Sequence, residues 1–118
     1  HSSVRVVLLF ACSSSDVLQR VLCDHHCGGI GFATIVDDHA ARTFSYGVVT
    51  CLQRQMSDRC FDMESLFRAG MRAWCACDFR VGDPMTGSHV HGIPEVFLRN
   101  DNGEFTAHRY SEKKILTL

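Results

Sequence analysis

The stretch from Val4 to Ala11 is nearly all apolar and β-branched at its start. Such a run reads as a strand covered on both faces, and therefore as a central strand of a sheet. The longest apolar run of the chain, Val6 to Cys12, falls far short of the roughly 20 residues that span a bilayer. With one Arg ahead of it, the run also has the form of a weak secretory h-region. A turn and a helix follow in good order, which favours the strand. Cys12 to Ser15 breaks the run with small polar residues, and Ser15 or Asp16 can cap a helix there. Val17, Leu18, Val21 and Leu22 then share one helical face, with Gln19, Arg20 and Asp24 on the other.

Gly28-Gly29 is expected to stop that helix. Ile30 to Val36 reads as a second strand ended by Asp37-Asp38. Thr43 to Leu52 is rich in β-branched and aromatic residues and predicts a third strand. A second helix is better marked: Met63, Leu66, Phe67, Gly70, Met71 and Trp74 fall at helical spacing, Arg68 and Arg72 lie opposite, and Asp62 can cap it. Asp78 to Gly92 is a loop by its Gly and Pro content. Glu95 to Arg99 and Glu104 to Tyr110 flank Asn102-Gly103, a hairpin signal. Ser111 to Leu118 is expected to close with a short helix. The predicted order is β-α-β-β-α-β-β-α.

A chain of 118 residues fits one domain. Its 12 basic and 13 acidic residues nearly cancel, so charge does not point to nucleic acid or an anionic membrane. Seven cysteines is an odd number, so at least one thiol has no partner within the chain. Several lie in apolar segments, where a free thiol packs as a small hydrophobe. That pattern suits a reducing compartment better than a secreted disulfide scaffold. The chain opens on His1 instead of Met, as expected of a processed, truncated or tagged sequence.

Three groups of residues have chemical potential. Cys12 stands where the first strand meets the first helix, and a helix N-terminus favours a thiolate. A dithiol enzyme would need a second thiol at residue 15, but Ser15 is there, so Cys12 would act alone or simply end the strand. Cys23 and Cys27 can share a helix face, with Cys75, Cys77, His89 and His91 as further zinc ligands on paper. The spacings are not those of zinc modules, so no metal is expected and no cofactor is implied. His89 or His91 could serve as a base toward Cys12 or Ser13, yet no Gly-x-Ser-x-Gly elbow or phosphate loop accompanies them. Arg68, Arg72 and Arg80 are available to an acidic partner or an RNA phosphate, although such arginines usually only solvate a helix.

The strand-Cys-x-x-Ser-helix opening, taken with His91-Gly92-Ile93-Pro94-Glu95-Val96-Phe97-Leu98 and Asn102-Gly103-Glu104, resembles the thioredoxin fold. That resemblance covers about residues 4–36 and 90–118. It implies a cis Ile93-Pro94 bond facing Cys12, with Ile93 and Pro94 as binding residues. The aromatic-Cys-Gly-x-Cys signature is missing, and residues 40–80 match no part of that fold. The chain is also similar to the thioredoxin-like family of mitochondrial ribosomal proteins and a small complex I subunit. Val4 to Leu22 and Pro94 to Leu116 carry this second likeness.

The expectation is one α/β domain over residues 1–118, thioredoxin-like, with a mixed four- or five-stranded sheet. A ferredoxin-like βαββαβ sandwich is the alternative. The expected function is a non-catalytic subunit or adaptor bound to other proteins of a larger, mitochondrial assembly. The competing functions are a monothiol thiol-disulfide oxidoreductase using Cys12 and a zinc-stabilised binding module.

Overall fold

The computed structural model describes residues 6–23, 27–83, 85–111 and 114–117. Along it run β1 (Val6–Leu8), α1 (Ser15–Cys23), β2 (Gly28–Phe32), α2 (Asp38–Asp58), α3 (Met63–Ala76), β3 (Pro94–Arg99), β4 (Phe105–Ser111) and β5 (Lys114–Thr117). The five strands make one mixed sheet in the order β1-β2-β3-β4-β5. β1 is parallel to β2, and every later pairing is antiparallel. The chain is therefore a small α/β domain with a mixed sheet, the class its sequence predicts.

Placement within the sheet departs from the expectation for β1, which lies at an edge and not at the centre. Its residues do meet protein on both faces. Val6, Leu8 and Phe10 pack toward the α2–α3 side, and Val7 and Leu9 toward α1. An unbroken apolar run reports the layers above and below a strand, and it carries no information on how many strands lie beside it.

Thr43 to Leu52 is helical, the middle of α2, and not a strand. Asp37 caps this helix by accepting from the Ala40 amide at 3.0 Å. Ala40, Ala41, Phe44, Val48 and Cys51 are its buried positions, a spacing of three and four that only a helix brings onto one face. α3 follows as predicted, with the Asp62 carboxylate accepting from the Glu64 amide. Between the two helices the Gln55 side chain grips the Asp62 backbone twice. Its Oε1 accepts from the Asp62 amide and its Nε2 donates to the Asp62 carbonyl, each at 3.0 Å. Residues 40–80 are thus mostly a helical hairpin.

The β3–β4 hairpin forms as expected, with the Asn100 Oδ1 accepting from the amides of Asn102 and Glu104. Two further expectations fail. Gly28 and Gly29 begin β2 instead of stopping α1. Lys114–Thr117 is strand β5 and not helix, because pairing Tyr110 with Ile115 and Arg109 with Leu116 satisfies the free edge of β4.

The larger core lies between the sheet and the α2–α3 pair. Phe44 stands at its middle, with edge-on contacts to Phe10, Phe32, Phe67 and Trp74. Each such pair adds about 0.5–1.5 kcal/mol beyond burial, so this side anchors the fold. On the opposite face α1 brings Leu18 and Leu22 onto Cys27 and Phe97. No helix among the described residues is long and apolar enough to cross a membrane.

Candidate functional site: the Cys12 turn

The chain leaves β1 by one more ladder bond, from the Leu9 amide to the Ile30 carbonyl at 3.0 Å. It then turns through Cys12, Ser13 and Ser14 into α1. Ser13 has a φ of 52°, a left-handed conformation that non-glycine residues seldom adopt. Strain of this kind persists only where surrounding bonds hold it. Here the Ser13 amide donates to the Thr34 carbonyl at 2.9 Å.

Ser14 is the clamp beneath the turn. Its hydroxyl donates to the Leu9 carbonyl at 2.7 Å and accepts from the Phe32 amide at 3.0 Å. The side chain fits because residue 31 is glycine; a Cβ there would come within 2.9 Å of the Ser14 Oγ. The Ser14 carbonyl accepts the first helical bond, from the Leu18 amide at 2.9 Å. Ser14 therefore holds the cap position expected of Ser15 or Asp16. It spends its hydroxyl on the strands, which leaves the first-turn amides of α1 uncapped by that side chain. Ser15 is buried, and among the described residues its own hydroxyl has no hydrogen-bond partner.

This scaffold presents Cys12 at the surface. The Val36 amide donates to the Cys12 Sγ at 3.4 Å, and the Cys12 thiol donates to the Val36 carbonyl at 3.6 Å. The segment after β2 is itself held from behind. Ala33 donates to the Ile93 carbonyl at 2.9 Å, and Asp37 to the His91 carbonyl at 2.7 Å. The sulfur thus sits between one N–H donor and one carbonyl acceptor, and its exposed side is where an incoming electrophile can reach it.

Ile93 and Pro94 are both buried, Ile93 as a backbone acceptor and Pro94 in register with Phe32. The Ile93-Pro94 bond is trans, against the cis bond implied by the thioredoxin resemblance. The residue whose backbone meets Cys12 is Val36, which the sequence did not single out.

The histidines expected to act as bases are placed differently. The His91 Nδ1 accepts from the Arg80 amide at 2.7 Å, and its ring lies edge-on to Phe79. His89 is exposed on the loop. For the zinc reading, the sheet separates the candidates. Cys27 packs with the α1 layer, whereas Cys75 and Cys77 lie at the end of α3 on the other face. Asp24, His25 and His26, between Cys23 and Cys27, lie outside the described residues. Among the described residues no three His, Cys, Asp or Glu side chains gather around a point where one metal ion could bind.

Burial pushes the Cys27 thiol above its ordinary value, with the Arg99 guanidinium pulling weakly the other way. Partial burial raises the Cys75 thiol as well. All seven cysteines are free thiols. In comparisons with known proteins, no family model, no curated protein and no solved structure matches this chain.

Proposed function

We propose that the domain works through Cys12 as a single-thiol nucleophile in thiol–disulfide exchange. One observation carries this reading. A strained turn, clamped by the buried Ser14, holds an exposed sulfur against the Val36 amide. In the step, the Cys12 thiol gives its proton to solvent and the sulfur attacks one sulfur of a disulfide. A Cys12 mixed disulfide forms and the second sulfur leaves as thiolate, which takes up a proton. A low-molecular-weight thiol of the glutathione class then attacks the mixed disulfide and releases Cys12.

The test is exposure of the protein to oxidised glutathione, followed by intact-mass analysis and peptide mapping. One adduct is expected, on Cys12, ahead of the exposed Cys23, Cys60, Cys75 and Cys77. Reduced glutathione removes it, and Cys12→Ser lacks it. Equal modification of all exposed thiols, or an inert Cys12, sinks the proposal. An inert Cys12 is the result expected of a non-catalytic subunit of a larger assembly, the reading that competes with this one.

A second reading places the same sulfur on a carbonyl. It is favoured by the form of the turn, because a nucleophile between strand and helix has first-turn amides nearby for an oxyanion. Such chemistry also asks for a base, and the His91 ring is engaged by Arg80 and Phe79. Release of nitrophenolate from p-nitrophenyl acetate, lost in Cys12→Ser, would select this reading over disulfide exchange.

A further inference from the structure

On the face of the sheet away from α1, helix α3 packs mainly over β3 and β2. A crevice of about 610 Å³ remains between α3 and β4, lined by Arg68, Met71, Arg72, Cys75, Ala76 and Tyr110. Its size is within the range of small-molecule sites. Chemically it is divided. Buried Met71, with Ala76 and the Cys75 thiol, supplies an apolar part, and methionine adapts its shape to a varied chain.

The two arginines differ. Arg68 is committed to Glu64, one turn earlier on α3, at 3.0 Å. Arg72 is exposed, and among the described residues it has no ion-pair partner. Among the described residues no carboxylate lines the crevice. Tyr110, half-buried on β4, forms the opposite wall. A planar guanidinium with free donors matches a carboxylate in a way that a point charge does not.

We infer that the α3–β4 crevice binds a single-chain amphiphile with one carboxylate head, the head on Arg72 and Tyr110 and the tail over Met71 and Ala76. The site shares no lining residue with the Cys12 turn, so it stands or falls independently of the chemistry proposed there.

Fluorescence of 8-anilinonaphthalene-1-sulfonate reports occupancy, and laurate is the competing ligand. Laurate is expected to displace the dye, while dodecanol, of equal chain length and uncharged, does so at least tenfold less well. Arg72→Ala weakens laurate about tenfold, since it removes a charge-assisted pair, and Arg72→Lys recovers part of the loss. Arg72 is exposed, so these variants keep the fold, checked by circular dichroism. As a second readout, laurate slows alkylation of Cys75 several-fold and leaves that of Cys60 unchanged. Equal displacement by dodecanol, an unaffected Arg72→Ala, or undiminished Cys75 alkylation would overturn the site. Displacement by inorganic phosphate at the same concentration as laurate would overturn the amphiphile in favour of a simple anion site.

Discussion

Gly70 of α3 lies directly against the ring of Phe44 on α2: a Cβ at residue 70 would come within 2.6 Å of the Phe44 Cε1. The same Cβ would meet the Val48 Cγ2 at 2.7 Å. Phe44 is fully buried and hemmed in by four other aromatic rings, so it has no room to yield. In an open helix Gly→Ala would stabilise by about 1 kcal/mol. Here overpacking, at about 1–3 kcal/mol, opposes and exceeds that gain. Gly70→Ala is expected to lower the thermal midpoint of unfolding, followed by circular dichroism. A raised midpoint would show that the helices separate easily and that the close contact is unimportant.

Ser14→Ala removes a hydroxyl that satisfies two backbone groups at once. The Phe32 amide and Leu9 carbonyl lose their partner in a buried place, an expected loss of about 1–3 kcal/mol in urea unfolding. The variant also tests the turn: if the clamp positions Cys12, glutathionylation of Cys12 slows even where the protein is fully folded. An unchanged rate at Cys12 would confine Ser14 to a structural role.

Glu95 is almost wholly buried on β3, and the Arg109 Nε lies 2.7 Å from its carboxylate across the β3–β4 ladder. Removing the arginine strands that charge. Arg109→Leu is therefore expected to destabilise by about 3 kcal/mol, the low end for a buried pair because Arg109 is partly exposed. The double variant Glu95→Leu/Arg109→Leu should recover much of the loss. Additive losses in the two single variants and the double variant would mean that the pair is not coupled.

A pH dependence follows from Cys27. Its thiol is raised in the folded state, chiefly by burial, so above the ordinary value the unfolded chain releases a proton that the native protein keeps. Stability from this group is complete below that value and declines as pH rises through the folded one. Cys75, also raised, acts with the same sign. Above pH 9.0, the ordinary thiol value, the urea midpoint of Cys27→Ala should therefore fall less than that of the parent protein. An equal or steeper fall in the variant would remove Cys27 from the account.

The sequence reveals the parts whose signal is local. Asp62 followed by Met63, Leu66, Phe67, Gly70, Met71 and Trp74 reads as a capped amphipathic helix and is one. Asn102-Gly103 between two apolar runs reads as a hairpin and is one. Thr43 to Leu52 misleads because Thr43, Tyr46, Val48 and Val49 prefer strands individually, while the spacing of Ala40, Phe44, Val48 and Cys51 decides the helix only once α3 is there to cover them. Cys12 is legible as the end of a strand beside a helix. Its partner Val36 is not, since the two meet across 24 residues of sequence. The α3–β4 crevice is hidden for the same reason: Arg72 and Tyr110 become neighbours only through the order of strands in the sheet.

The grip of Gln55 on the Asp62 backbone has a kinetic meaning. The central pairing of the sheet, β2 with β3, joins Gly29 to Phe97 and must wait for a long intervening chain to close. Closure entropy grows with the length of that chain, and distant strand pairing is slow. A helical hairpin tied at its own bend forms from contacts near in sequence and shortens the distance the chain must search. The α2–α3 pair is therefore expected to form before β3 reaches β2. In pulsed hydrogen exchange its amides should gain protection before those of Gly29 and Phe97, and the order should be lost in Gln55→Ala.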